Sequence, residues 1–314
     1  MRRRDFLFRL GLVGTGLGAA WWFRDHVLWP APKIAFAAEG SSGWLPYARP
    51  RAGLPTATVT LGGRDVVALI DSGAQYSVID RDLFQALGLT SAFDMPVVAY
   101  GVGGQPQVGK GATLALTLGG LELSGLRAAI LDLGPLADRP GLGAPLILGQ
   151  DVLGALVLDI DVPAERLSLH RPADHVLPPE VTPVPVRRSR GGLFTELTVE
   201  GSTVEAIVDT GASALLALSR EAAGCAGLLD GRPARRGSSV VLGGVIGAEI
   251  VQARTLTFGD QLYRRVDAPI YADVRIPGFP QALLGMAAFA DRRMVMNLGS
   301  GALHVSRPLD LTVG

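Results

Sequence analysis

Val66-Val67-Ala68-Leu69-Ile70-Asp71-Ser72-Gly73-Ala74 is answered 138 residues later by Val204-Glu205-Ala206-Ile207-Val208-Asp209-Thr210-Gly211-Ala212. Each copy is a largely apolar run that ends on an aspartate, a small hydroxyl residue, glycine and alanine. Further landmarks repeat in the same order at nearly the same offset. Gly103-Gly104 answers Gly243-Gly244, Leu146-Ile147-Leu148-Gly149 answers Ala282-Leu283-Leu284-Gly285, and Leu167-Ser168-Leu169-His170 answers Gly301-Ala302-Leu303-His304. Such ordered self-similarity marks an internal duplication.

Around these landmarks the local signals are those of β-structure. Alternating Thr58-Val59-Thr60-Leu61, then Gly62-Gly63, then Val66 to Ile70 predicts a hairpin leading into the first aspartate. Phe194 to Val199, a turn at Glu200-Gly201-Ser202, and Val204 to Val208 predict its counterpart. After each aspartate comes a short apolar strand (Ser77 to Ile79; Ala214 to Leu218) and a short helix, opened by Asp80 or Ser219 as N-cap. Strand pairs around Gly119-Gly120 and Gly259-Asp260 complete each unit. The 41 glycines and 21 prolines, spread along 314 residues, suit many short strands and tight turns. The fold class expected is therefore all-β with a few short helices. One unit covers 56–170 and a second 191–306, followed by a tail over 307–314. Between the units, residues 171–190 carry five prolines and four arginines and read as an extended, exposed linker. The single cysteine, Cys225, excludes an internal disulfide, and 29 basic against 29 acidic residues give no basic face for nucleic acid.

The N-terminus reads as an address. Arg2-Arg3-Arg4-Asp5-Phe6-Leu7 precedes an apolar run from Leu10 to Phe23, and Ala35-Phe36-Ala37 is a small-x-small site of the kind signal peptidase accepts. The arginine pair resembles a twin-arginine export signal, which implies a translocase as partner and a periplasmic or exported location in a bacterium. Residues 1–37 are expected to be removed, leaving 38–55 as an N-terminal extension. The alternative is an uncleaved inner-membrane anchor, the one case in which the chain would contact a membrane. Gly14-Thr15-Gly16-Leu17-Gly18 follows no strand and misses the dinucleotide-binding spacing.

An apolar strand, Asp-Thr/Ser-Gly-Ala, a glycine-containing hairpin and a distant apolar-apolar-Gly together resemble the retropepsin and pepsin-like aspartic peptidases. The likeness covers roughly 56–306 at the level of these landmarks. It implies two homologous retropepsin-like β lobes related by a pseudo-twofold axis, with Asp71 and Asp209 as a catalytic dyad at the cleft floor. It also implies that Ser72 and Thr210 tie the two loops together, and that Gly73 and Gly211 let the backbone pass close to the carboxyls. Tyr100-Gly101-Val102-Gly103-Gly104 looks like a flap over substrate, with Gly243-Gly244-Val245 as its partner. This chemistry needs neither metal nor cofactor, because two carboxyls sharing one proton serve as base and acid towards a water molecule. The expected substrate is a polypeptide.

Two departures stand out. Pepsins usually carry a hydroxyl after the triplet in at least one lobe, whereas Ala74 and Ala212 stand here. Retropepsins carry an acidic residue one position further on, whereas Gln75 and Ser213 stand here. Asp151, Asp159 and Asp161 read as helix caps or turn residues, His170 and His304 as structural members of the closing strands, and Cys225 as core or near-surface filler. No Gly-x-Ser-x-Gly elbow, His-Glu-x-x-His or paired-cysteine zinc pattern occurs. An aspartic endopeptidase is the expected function. A catalytically inactive peptide-binding or scaffold protein of the same fold is the alternative, and a zymogen with 38–55 across the cleft is left open.

Overall fold

The computed structural model describes residues 29–37, 39–90, 92–100, 106–138, 141–241, 244–273 and 279–308. In the first half lie β1 (Lys33–Phe36), β2 (Leu45–Pro46), β3 (Thr56–Leu61), β4 (Arg64–Ile70), β5 (Val78–Asp80) and β6 (Ala92–Tyr100). They are followed by β7 (Pro106–Leu118), β8 (Leu121–Leu131), β9 (Leu146–Leu148), β10 (Val157–Asp161) and β11 (Arg166–His170). The second half begins with β12 (Val181–Val184), β13 (Arg187–Ser189), β14 (Gly192–Val199), β15 (Ser202–Val208) and β16 (Leu216–Ser219). It continues through β17 (Ala234–Val241), β18 (Gly244–Phe258), β19 (Gln261–Tyr271), β20 (Ala282–Leu284), β21 (Arg293–Asn297) and β22 (Ala302–Ser306). Three short α-helices, α1 (Arg81–Ala86), α2 (Gln150–Leu153) and α3 (Arg220–Cys225), complete the set among the described residues.

The duplication is visible in the hydrogen bonding. In the first sheet β4 pairs with β3 and β9, β5 with β9 and β8, and β7 with β8, β3 and β6. In the second, β15 pairs with β14 and β20, β16 with β20 and β19, and β18 with β19, β14 and β17. The pairings correspond one for one, and in each case they close the sheet into a barrel-like lobe. Alternation explains which face turns inward. Along β3 (burial of Thr56, Ala57, Val59 and Leu61) and along β14 every second side chain points into the lobe. The hairpin turns are those expected from the glycines. Gly62 and Gly63 both adopt positive φ, as do Glu200 and Gly201 in the second copy. Asp80 caps α1 by accepting from the Asp82 and Leu83 N–H groups, and Ser219 caps α3 by accepting from Ala222 N–H.

A third sheet joins the lobes. Its order is β12-β22-β21-β10-β11-β2, so the closing strands of the two halves lie side by side, with β10 antiparallel to β21. One face, with Leu158, Ile160, Met294 and Met296, is buried in a core shared by both halves. On the other face the structure departs from the sequence reading. Asp159 is not a turn residue. It is buried in β10, and the Arg293 guanidinium from β21 grips both its oxygens (Nε–Oδ1 2.9 Å, Nη2–Oδ2 2.8 Å). Asp161 does serve a turn, accepting from Ala164 N–H. Cys225 is exposed at the end of α3, which leaves the near-surface reading and removes the core one.

Segment 171–190 is extended between the lobes, but it is pinned at several points. His175 reaches Asp159 (3.5 Å) and Glu180 reaches Arg293 (2.8 Å). β12 and β13 pair with β22 and β14. Proline spacing signals extension equally well for a free linker and for an edge strand, because the signal says nothing about partners. The N-terminal segment differs as well. Lys33–Phe36, read as part of a leader, is a strand paired antiparallel with Leu121–Ser124 at the edge of the first lobe.

Candidate active site

Both aspartates emerge from the same backbone device. β4 runs parallel to β9 while β5 runs antiparallel to it, so the intervening loop rises over the end of β9. Asp71 N–H donates to the Leu148 carbonyl (3.0 Å) and Gln150 N–H to the Ala74 carbonyl (2.9 Å). In the second half β15, β20 and β16 repeat this arrangement. Asp209 N–H donates to the Leu284 carbonyl (2.9 Å) and Met286 N–H to the Ala212 carbonyl (2.8 Å). Gly149 and Gly285 allow the crossing. A Cβ on Gly149 would meet the Ala74 oxygen at 2.7 Å, and one on Gly285 would strike the Ala212 and Ala214 oxygens.

Ser72 and Thr210, both fully buried, join the two loops reciprocally. Ser72 N–H donates to Thr210 Oγ1 (2.8 Å), and Thr210 N–H donates to Ser72 Oγ (3.0 Å). Each hydroxyl then donates onward across the interface, Ser72 Oγ to the Val208 carbonyl (2.9 Å) and Thr210 Oγ1 to the Ile70 carbonyl (2.7 Å). Each hydroxyl thus accepts once and donates once, which satisfies two buried polar groups and fixes the loops relative to each other.

Above this clasp the two aspartates come together, the carboxyl of each lying against the glycine of the other loop. Gly73 and Gly211 are needed for close approach, not for unusual dihedrals, since neither has positive φ. A Cβ on Gly73 would lie 2.6 Å from the Asp209 carboxyl carbon, and one on Gly211 would lie 2.5 Å from that of Asp71. Burial raises the pKa of Asp71, and the N–H groups of Gly73 (2.8 Å) and Ala74 (3.0 Å) on its Oδ1 oppose that rise. Asp209 is pushed well above the ordinary carboxyl range, first by burial and then by the charge of Asp71, with the Gly211 N–H (2.8 Å) opposing. The two carboxyls therefore titrate as a pair, which holds one proton over a wide pH range.

Of the other residues singled out, Tyr100 ends β6 and pairs with Pro106, while Gly244 opens β18 opposite Val241. Each half thus carries a long pair of antiparallel strands, β6 with β7 and β17 with β18. Gly103, Gly104 and Gly243 lie outside the described residues.

Sequence reasoning missed a polar network behind the Asp71 loop. Gln150 Nε2 donates to the Ser72 carbonyl (2.8 Å). Asp151 does not cap α2, whose N-cap is Gly149. Its Oδ1 instead accepts from Ser77 Oγ (2.8 Å) and its Oδ2 from Ser77 N–H (3.0 Å) and Trp29 Nε1 (3.2 Å). The available signal was an asymmetry, since Gln150-Asp151 follows the first apolar-Gly and Met286-Ala287 the second.

A solved structure similar to the chain is Basic 7S globulin from soybean, at 9% identity and a TM-score of 0.48, covering 85% of this chain and 95% of that one. No curated protein matches. The aspartyl protease family model matches twice, over residues 57–152 and 195–288, once around each aspartate. The chain belongs to the aspartyl protease family.

Proposed function

We propose that the protein is an aspartic endopeptidase in which Asp71 and Asp209 act together on a water molecule. The observation that carries this reading is the close approach of two partly buried carboxyls, each against the glycine of the opposite loop, on loops clasped by Ser72 and Thr210. Ionised Asp71 takes a proton from the water as its oxygen attacks the peptide carbonyl carbon. Protonated Asp209 donates to the carbonyl oxygen, giving a neutral tetrahedral diol. Collapse re-forms the carbonyl and returns a proton to Asp209, while Asp71 passes its proton to the departing nitrogen. The C–N bond breaks, yielding an acid and an amine with the dyad restored. The substrate is an extended polypeptide lying under the two hairpins.

The test is hydrolysis of an unfolded protein by the purified chain across pH, beside Asp71→Asn and Asp209→Asn. Hydrolysis by the parent and its loss in both variants is expected. A folded parent that binds peptide but cuts none at any pH would make the chain a binding protein of this fold. For export, we propose the twin-arginine route from Arg3 and Arg4 to a bacterial envelope. Lysine at both positions is expected to retain the precursor in the cytoplasm, and undiminished export of that variant would refute the route.

A further inference from the structure

We propose that Trp29–Ala37 remains part of the folded domain after export, and that Trp29 is a positioning residue that holds the Asp71 loop through Asp151. Any processing of the leader would then fall before Trp29 and not after Ala37.

The Trp29 side chain is buried at 7% exposure. Its ring lies 4.7 Å from that of Tyr76, centroid to centroid, and its Nε1–H donates to Asp151 Oδ2 at 3.2 Å. Asp151 is itself held from the loop side by Ser77 N–H (3.0 Å) and Ser77 Oγ (2.8 Å), and by Val152 N–H (3.1 Å). Ser77 Oγ in turn accepts from Gly149 N–H at 3.2 Å. Tyr76 and Ser77 are the descending end of the loop that begins at Asp71, and Gly149 lies directly under it. The indole therefore touches that loop twice, by ring contact with Tyr76 and by hydrogen bond through Asp151. Burial pushes the Asp151 carboxyl above its ordinary range, and each donor counters that push. Without the indole N–H, Oδ2 keeps only the Ser77 amide. A buried carboxylate left short of donors loosens what surrounds it.

The strand that follows gives a second reason. β1 covers the Leu121–Ser124 edge of β8 in register, and Ala37 N–H continues the pairing to the Gly120 carbonyl (2.8 Å). Phe36 lies beneath the Arg171 guanidinium, 5.2 Å from ring centroid to Cζ. Removing residues through Ala37 would uncover a strand edge and open the space around Asp151. The second lobe shows that this is an addition and not a general need of the fold. Among the described residues the corresponding part of β19 carries no such strand, and Ala287 stands where Asp151 stands.

Two measurements on the full chain test the proposal, and neither requires that the protein hydrolyse anything, so failure here is separable from failure of the peptidase reading. The first is N-terminal sequencing with intact mass of protein recovered from the envelope of an expressing bacterium. A first residue at or before Trp29 is expected, and a folded protein beginning at Ala38 would overturn the proposal. The second is amide hydrogen exchange in Trp29→Phe, which keeps an aromatic ring and removes the N–H. Exchange over residues 72–77 should quicken by about tenfold, the scale of one lost hydrogen bond to a carboxylate, while residues 210–214 stay unchanged. Equal change in both loops, or none in either, would show that Trp29 fills space without positioning the loop.

Discussion

The two aspartate loops share a backbone and differ in what lies behind them. The Asp71 loop is backed by Gln150, Ser77, Asp151 and Trp29, a polar chain that continues from the Ser72 carbonyl to the N-terminal segment. In the second lobe the same positions hold Met286 and Ala287, and Ile207, Tyr271 and Leu283 form a small apolar cluster with Ala212 packed against it. Duplication provided two equivalent aspartates whose surroundings have diverged, and the mechanism proposed above gives the charge to Asp71 and the proton to Asp209. The difference teaches that the duplicated backbone is kept in both loops while the side chains behind them have diverged.

The most severe way to break the comparison is to remove either carboxyl. Asp71→Asn and Asp209→Asn should each lower kcat by at least about a thousandfold, since one carboxyl cannot be base and acid together. The two should differ in stability. Both native pKa values are raised, so the stability each carboxyl contributes is fully present below its unfolded pKa and is lost as pH rises through its folded pKa. Asparagine does not titrate, so each variant should gain stability over the parent as pH climbs from acid to neutral. If Asp209 holds the proton as proposed, the gain should be larger for Asp209→Asn, since Asp71 keeps two backbone donors in that variant. Thermal unfolding at several pH values checks this. A larger gain for Asp71→Asn would reverse the assignment of the proton.

Next in size is the clasp, where the halves are most alike. Ser72→Ala and Thr210→Ala each strand a buried N–H and a buried carbonyl, at about 1–3 kcal/mol for each unsatisfied group. Denaturant unfolding should show comparable losses of about 2–4 kcal/mol in the two variants. A much smaller loss on one side would mean that the lobes do not hold each other symmetrically.

Smaller again, Gln150→Met copies the second lobe's residue into the first. It removes the donor on the Ser72 carbonyl, so kcat should fall by about three- to tenfold with KM little changed. The reverse substitution, Met286→Gln, would place a buried amide where Met286 is 2% exposed and should cost stability instead. Equal effects on kcat would show that the polar backing has no bearing on the dyad.

What could be read beforehand follows a physical division. The duplication, the hairpin turns at Gly62-Gly63 and Glu200-Gly201, and the caps Asp80 and Ser219 are local patterns, and each stands in the structure where the sequence places it. Asp151, Asp159 and Trp29 were not legible in the same way. Their partners are Ser77, Arg293 and one another, 74, 134 and 122 residues apart, and no periodicity connects such positions. Asp151 beside a helix start looks like a cap in sequence because capping and long-range pairing draw on the same acceptor. Lys33–Phe36 was hidden for a different reason. Small residues in extended conformation suit a peptidase recognition site and an edge strand equally well.

The smallest expected effect concerns Ala74 and Ala212, and it probes the two loops most directly. Ala74 N–H already donates to Asp71 Oδ1 at 3.0 Å, so a hydroxyl on residue 74 stands within reach of the same carboxylate. In Ala74→Ser that hydroxyl favours the ionised form of Asp71, and the acid limb of the pH–rate profile should move downward by about half a unit, roughly 0.7 kcal/mol. In Ala212→Ser the new donor faces Asp209, whose proton is lost at the upper limb. There too the charged form is favoured, but it is the alkaline limb that should move down, narrowing the active range. The parent, lacking both hydroxyls, should therefore be most active in mildly acidic solution. If both variants move the same limb, the proton is shared evenly between the carboxyls, and the polar backing of Asp71 does not decide which of them is charged.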